Sequence, residues 1–277
     1  MHLPASEQVA SQLEWRESAG STNLELIKLA QSRVALGEAE LPNFTVYATA
    51  NQQAGRGRAG RVWETPADAA LAISVLLYPP VSAPVDLGKL AWLPLIAGLA
   101  MSQTVESFLP TLAKDQTVVG VKWPNDVLVN EQKICGVLTE LVTVNGTSAV
   151  VIGAGINLSQ TQDQLPIANA TSMQLLGANL PEDLAERFDA VLASYLTNLK
   201  ELYGRFVNLG LDAVASGVRQ QVINNCVSLG RQVRAELPDG TSQLGRAATI
   251  DDSGRLVLDL TGVAFALSAA DIVHLRH

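Results

Sequence analysis

The sequence predicts an α+β fold, a large mixed unit of helices and strands followed by a small all-β tail. Two observations carry this reading. Short apolar runs such as Leu71 to Leu77 and Ala149 to Ile152 are interleaved with longer stretches of helical period. Near residue 228 the pattern changes to short strands punctuated by turn residues. A chain of 277 residues, 48% apolar and 17% charged, has ample material for a core and suits one large domain with one small one.

Each element follows in order. Asn23 to Ala30 reads as a helix capped by Ser21 or Thr22. Strands are expected at about 44–49 and 71–77. The most apolar run, Leu90 to Met101, is shorter than a membrane span; with Pro94 near its start it reads as a buried helix over 88–108. Strand candidates follow at 117–122, 126–129, 134–143 and 148–154, with a hairpin tip at Asn130-Glu131-Gln132. An amphipathic helix starts at Pro181 and places Leu184, Phe188, Val191, Leu192, Tyr195, Leu196 and Leu199 on one face. A second helix is expected at 209–222. In the tail, a Pro238-Asp239-Gly240 turn and an Asp251 to Gly254 turn separate strands starting at Val233 and at 244–250 and 256–260, and Gly262 leads into 263–267. This predicts a small barrel or sandwich packed on the larger unit, with domains at 1–227 and 228–277.

Composition narrows the function. A net charge of −8 argues against a nucleic-acid surface, which is basic overall, so local basicity points to a small anionic ligand. Cys135 and Cys226 lie far apart without metal-ligand spacing, which fits a reducing compartment. Histidines occur only at 2, 274 and 277, which weighs against histidine catalysis. The N-terminus has no basic and apolar leader pattern, and a soluble, cytoplasmic protein is expected.

The most informative stretch is Gly55-Arg-Gly-Arg-Ala-Gly-Arg-Val-Trp63. It sets Arg56, Arg58 and Arg61 on a glycine-spaced backbone and closes with an indole. Glycines admit close backbone approach, guanidinium groups clasp carboxylate or phosphate oxygens, and an aromatic face takes a base or a cation. Gly55, Gly57 and Gly60 also satisfy a dinucleotide fingerprint, but Pro66 interrupts the helix that fingerprint must open. Gly88-Lys89 lacks the rest of a P-loop. A nonspecific Arg-Gly nucleic-acid segment would sit in a longer low-complexity run.

Two more motifs join it. In Lys122-Trp123-Pro124-Asn125-Asp126, Pro124 forces Trp123 out of helical geometry, which leaves Lys122 at a strand end where its charge reaches a cleft. The bland alternative is a surface lysine beside a packed tryptophan. Gly153-Ala-Gly155-Ile-Asn157, after an apolar run, offers close approach and an amide, or else a structural turn.

Taken in order, Ser21-Thr22-Asn23, the Gln52 to Trp63 segment, Lys122 to Asp126, Lys133-Ile-Cys-Gly-Val-Leu-Thr-Glu140 and Gly153 to Asn157 closely resemble the bacterial biotin protein ligases. The resemblance runs from about Trp15 into the tail, which ends Ser268-Ala-Ala-Asp-Ile-Val-His-Leu-Arg276. It implies a mixed-sheet catalytic domain related to class II aminoacyl-tRNA synthetases and a C-terminal SH3-like β-barrel. It also implies activation of biotin with ATP and Mg²⁺ to biotinyl-5′-AMP, then transfer to one lysine of a biotin carboxyl carrier domain of an acyl-CoA carboxylase. By the same resemblance Ser21, Thr22, Asn23, Gln52, Arg56, Gly57, Arg58, Lys122 and Gly136 form the biotin set. Arg56, Arg58, Arg61, Trp63, Lys122 and Asn157 form the ATP set, with Trp63 stacking on adenine. Lys122 and Arg58 are the catalytic pair; protein ligands to the metal stay unassigned, and Mg²⁺ arrives through the ATP phosphates.

The chain departs from the family pattern at Gly20, where many relatives have Asp, at Asp68-Ala-Ala-Leu71, where a glycine is common, and at Ala270, where Gly is usual. Only about 20 residues precede Ser21, too few for the winged helix-turn-helix of some relatives, so DNA-binding regulation is not expected. The rivals are a lipoate-type ligase, a non-catalytic binding module and an Arg-Gly nucleic-acid binder.

Overall fold

The computed structural model describes residues 1–81, 87–110 and 117–275. Seven strands form a mixed sheet: β1 (Gln12–Trp15), β2 (Thr45–Thr49), β5 (Ala70–Leu77), β9 (Thr147–Asn157), β8 (Gln132–Val144), β7 (Asp126–Val129) and β6 (Val119–Lys122), in that spatial order. β1 and β2 run parallel and every other neighbouring pair is antiparallel. A small hairpin of β3 (Gly55–Arg56) and β4 (Val62–Trp63) stands apart from it.

Every residue of the central strand β5 is buried. Its alternate residues Leu71, Ile73, Val75 and Leu77 enter the main core with α3 (Leu93–Phe108) and α4 (Leu184–Asn208). On the opposite face α2 (Thr22–Ala35) packs Leu26 and Ala30 against Tyr47, Leu76 and Val151. α2 covers only part of that face, and the uncovered part becomes the site. β8 and β9 are joined by Asn145-Gly146, both at positive φ (48° and 76°), which matches the twist of a two-residue hairpin.

Beyond residue 228 the chain forms an antiparallel five-stranded sheet in the order β13 (Ala264–Leu267), β12 (Leu256–Asp259), β11 (Ser242–Ile250), β10 (Gln232–Glu236), β14 (Asp271–His274). Its Val233, Ala235, Ala247, Ile250 and Leu258 belong to the same apolar cluster as the larger sheet. Trp92 Nε1 donates to the Asp252 carbonyl at 2.9 Å and Trp123 Nε1 to the Gly254 carbonyl at 3.0 Å, which fastens the 251–254 turn to the larger unit.

Several expectations need correction. The amphipathic helix begins at Leu184 instead of Pro181, because the Asp183 carboxylate caps it by accepting from Ala185 N and Glu186 N. The helix expected at 209–222 is α5, Val218–Asn225; Gly210, Leu211 and Gly217 all take positive φ and break the earlier stretch. The 88–108 helix opens as a 3₁₀ turn, Gly88–Trp92, and turns α-helical at Leu93. Ser21 holds the N-cap position of α2 but makes no side-chain cap bond. Gly153 to Asn157 lie inside β9, with Gly153 to Ile156 paired on both sides and Asn157 paired with Ala70, so the turn reading of that segment is wrong. Helix α1 (Pro4–Val9), β1 and β14 were not anticipated.

Candidate active site

The sheet register explains the cavity. Ala72 pairs with Gly155, Gly155 with Gly136, Gly136 with Asp126, and Asp126 with Lys122, one row across five strands. The next row is Ser74, Gly153 and Leu138. Directly opposed residues share a face, so the centre of the uncovered part is floored by the small residues Ala72, Gly155, Gly136 and Gly153. A cavity of about 260 Å³ stands on it.

Little else would fit there. An added Cβ on Gly153 would lie 2.4 Å from Asn23 Oδ1, and one on Gly155 would lie 2.7 Å from the Trp63 ring. The start of α2 forms one wall. Gln52 Oε1 accepts from Thr22 N at 2.9 Å and from Thr22 Oγ1 at 3.1 Å. Ser74 Oγ, buried, lies 2.8 Å from Thr22 Oγ1 and 2.6 Å from Asn23 Oδ1, so hydroxyl and amide groups sit among apolar neighbours.

The β3–β4 hairpin forms the roof. Gly55 pairs with Trp63, and a Cβ there would lie 2.3 Å from the Trp63 carbonyl, so only glycine fits. After Gly57 the chain makes a 3₁₀ turn instead of a helix, which removes the dinucleotide reading on structural grounds too. Arg56 faces Glu140 at 3.6 Å, and Glu140 accepts from Asn23 Nδ2 at 2.8 Å. Arg58 donates to Asn125 Oδ1 at 3.1 Å and to the Ala270 carbonyl at 3.4 Å. Arg61 meets Asp271 at 2.9 Å. Burial lowers the Arg58 pKa, and Asp271 opposes that shift. Ala270, where glycine was the usual residue, is buried, and its carbonyl serves the roof without needing positive φ.

Ser21, Thr22, Asn23, Gln52, Arg56 and Gly57 all line this one cavity, as do Arg58, Arg61, Trp63, Gly136 and Asn157. Lys122 does not line it. It ends β6 on the same sheet face, one strand beyond Asp126, half-buried and with no carboxylate within 4.0 Å among the described residues. Burial is the main cause that lowers its pKa, with Asp126 pulling it back up and Lys133 pushing it further down. Asn157 donates to the Thr171 carbonyl and accepts from Gln160 Nε2, which leaves one N–H and one lone pair for a ligand.

Residue reasoning missed Ser74, Lys133, Asp126, Glu140 and the Pro166-Ile167 edge, where these last two residues also line the cavity. Ser74 had a visible signal as the one polar residue in an apolar strand. Among the described residues no cluster of three or more metal-ligating side chains exists, and no helix is long and apolar enough to cross a membrane.

A mixed sheet with one face left open, floored by small residues and roofed by a cationic hairpin, defines an α+β protein built to hold an anionic small molecule. The comparisons make that class specific. Residues 24–157 match the biotin/lipoate A/B protein ligase family, and residues 228–275 match the biotin protein ligase C-terminal domain. The chain is 36% identical over 267 residues to the biotin–[acetyl-CoA-carboxylase] ligase of Mycobacterium tuberculosis, covering 96% of this chain and 90% of the relative. It is 30% identical to the bifunctional ligase/repressor BirA of Bacillus spizizenii, over 83% of this chain and 66% of that one. The biotin protein ligase of Aquifex aeolicus, solved in complex with biotin and ATP, superposes with a TM-score of 0.71 at 23% identity, covering 96% of this chain and all of the other. The chain belongs to the biotin/lipoate A/B protein ligase family.

Proposed function

We propose that this protein is a biotin protein ligase: it activates biotin with MgATP to biotinyl-5′-AMP and then biotinylates one lysine of a biotin carboxyl carrier domain. The observation that carries this is the joining of an amide-lined pocket (Thr22, Asn23, Gln52) to a tri-arginine roof in a single cavity. A ureido ring needs donors and acceptors in an apolar setting, and a phosphoanhydride needs fixed positive charge beside it.

In the first step a carboxylate oxygen of biotin attacks the α-phosphorus of ATP, the α–β P–O bond breaks, and pyrophosphate leaves with the electron pair. Arg58 and Lys122 supply preorganised charge as negative charge grows on the transferring phosphoryl oxygens. In the second step the neutral acceptor lysine amine attacks the mixed anhydride carbonyl, the acyl C–O bond breaks with its electron pair leaving on AMP, and the amine loses a proton to solvent. Positioning accounts for most of this chemistry, so no covalent enzyme intermediate is required. Arg56 and Arg58 hold the adenylate away from water meanwhile. Trp63 and Asn157 provide the adenine face and its amide contact. Mg²⁺ would enter with the ATP phosphates; among the described residues Asp126 is the one acidic side chain lining the cavity, and it is ion-paired with Lys133.

The same reading divides the chain at 227/228 into a catalytic domain related to class II aminoacyl-tRNA synthetases and an SH3-like barrel; the separate five-stranded sheet supports that division. It also places the protein in the cytoplasm with its carboxylase partner, in keeping with two unpaired, buried cysteines. The test is incubation with biotin, MgATP and a recombinant carrier domain. Biotin on one carrier lysine, abolished by Lys122→Ala, supports the reading; no transfer by folded enzyme contradicts it.

A further inference from the structure

Asn157 ends β9 in the lining of the cavity, and its side-chain amide is held from two sides. Its Nδ2 donates to the Thr171 carbonyl and its Oδ1 accepts from Gln160 Nε2, both at 2.9 Å. All three residues are buried, Gln160 completely.

This bridge fixes which way the amide points. A backbone carbonyl only accepts, so Thr171 must face the nitrogen end of Asn157. That turns Oδ1 toward Gln160, which must then offer its own nitrogen. The order leaves Gln160 Oε1 buried with no hydrogen-bond partner among the described residues. Turning Gln160 over would bring that oxygen against Asn157 Oδ1, acceptor to acceptor. An unmade buried acceptor is costly, so the arrangement favours a fixed Asn157 over a satisfied Gln160.

The backbone around the bridge is fixed as well. Met173 N donates to the Asn157 carbonyl at 3.1 Å and Gln174 N to the Leu158 carbonyl at 2.8 Å, which zips together the two roots of the 161–170 loop. Ser172 Oγ, buried, donates to the Gln160 carbonyl at 2.7 Å. Gln160 itself does not line the cavity, and among the described residues its one side-chain hydrogen bond is to Asn157.

An amide held in this way can tell one purine from another. Adenine carries an amino donor at C6 beside a ring-nitrogen acceptor; hypoxanthine carries a carbonyl acceptor there beside a ring N–H. The two edges are opposites, so an amide free to turn over serves both, and an amide locked in one orientation serves one. We infer that Gln160 is a positioning residue for base specificity: it locks Asn157 in the orientation that selects a 6-aminopurine nucleotide over a 6-oxopurine one. The inference rests on the adenylation reading above, in which Asn157 contacts adenine.

The test is pyrophosphate exchange at saturating biotin with ATP or with inosine triphosphate, which differ at that edge. The wild type is expected to prefer ATP in kcat/KM by about tenfold or more, the size of one base-edge discrimination. Gln160→Met keeps the length and removes the lock. It is expected to lower the preference by about fivefold or more, through a raised KM for ATP with kcat little changed. Asn157→Ala is expected to remove the preference, and Gln160→Met added to it to change the ratio no further, a coupling that a purely structural glutamine would not show. If Gln160→Met does not fold, Gln160→Asn, polar but one methylene short of Oδ1, decides by the same ratio. A preference unchanged in the Gln160 variant or in Asn157→Ala, an equal drop in the Asn157→Ala background, or a wild type without preference for ATP overturns this inference alone. No biotin-dependent exchange by the wild type with either nucleotide overturns the ligase reading and this inference together.

Discussion

At the level of single residues, the proposed function assigns the chemistry to Lys122 and Arg58, of which only Arg58 lines the cavity. Lys122 sits in a setting where burial disfavours its charge and Asp126 partly restores it. Its value is lowered from 10.5, and the ammonium is the useful form, so activity is lost as pH rises through the lowered value. The alkaline limb of the exchange rate is therefore expected below pH 10.5, and Asp126→Asn is expected to move it lower still; a limb unmoved by that substitution would argue that Asp126 does not act on Lys122. Lys122→Ala should cut the exchange kcat by roughly 100-fold or more with a much smaller change in biotin affinity. Arg58→Gly removes a clamp, and release of biotinyl-5′-AMP, followed by stopped flow, should accelerate by about tenfold or more. That the Gly55 to Trp63 segment contributes to a site was legible, because arginines on a glycine-spaced backbone permit few chemistries; that Lys122 lies outside the cavity lining was not. Nor was the placement of Lys133 in that lining, because its direction depends on a β7–β8 register shift between Val127 and Leu128 that only strand pairing reveals.

At the scale of elements, the site is a consequence of what the sheet omits. Alternation in β5 and β9 places large side chains against α3 and α4 and leaves Ala72, Ser74, Gly153 and Gly155 on the other face. The motif Gly153 to Asn157 was visible in the sequence, but its two alternatives, ligand approach or turn, could be separated only by seeing that Gly155 pairs with both Ala72 and Gly136. Gly155→Ala tests the consequence. Its Cβ would lie 2.7 Å from Trp63 Cε2, so the indole must move. The KM for ATP should rise by about tenfold, the size of a typical overpacking strain, and biotin affinity should change less; the reverse order would show that Trp63 serves biotin instead. Long helices and central strands were legible from period and apolarity. Their ends were not, since a left-handed residue such as Leu211 leaves no composition signal.

At the scale of the whole molecule, the C-terminal sheet supplies contacts to the roof and to the far side of the larger sheet. Asp271 and the Ala270 carbonyl hold Arg61 and Arg58, while Glu131 at the β7–β8 tip meets Arg231 and His274. His274 also lies 3.1 Å from Ser228 Oγ, and burial lowers its pKa from 6.5 despite Glu131. Between that lowered value and 6.5 the unfolded chain binds more protons than the folded one, so this histidine's contribution to stability falls as pH drops through the window. The melting temperature is expected to fall between about pH 7 and pH 5.5, with a smaller drop in His274→Asn; equal drops would assign the dependence to other groups. Such contacts also mark the limit of sequence reading. Helix α1 docks through Ser6 N and Ser6 Oγ on the Asp189 carboxylate, at 2.8 and 2.7 Å, across more than 180 residues of chain. β14 exists by pairing with β10, and neither short segment advertises its distant partner.

The proposed function turns on adenylation of biotin in this cavity. The most direct measurement is ATP–pyrophosphate exchange by the purified protein with Mg²⁺, with biotin, lipoate and octanoate as parallel substrates. Exchange that depends on biotin and is absent with the other two acids is expected. Exchange with lipoate or octanoate but not biotin, or no exchange by folded protein with any of the three, would contradict it.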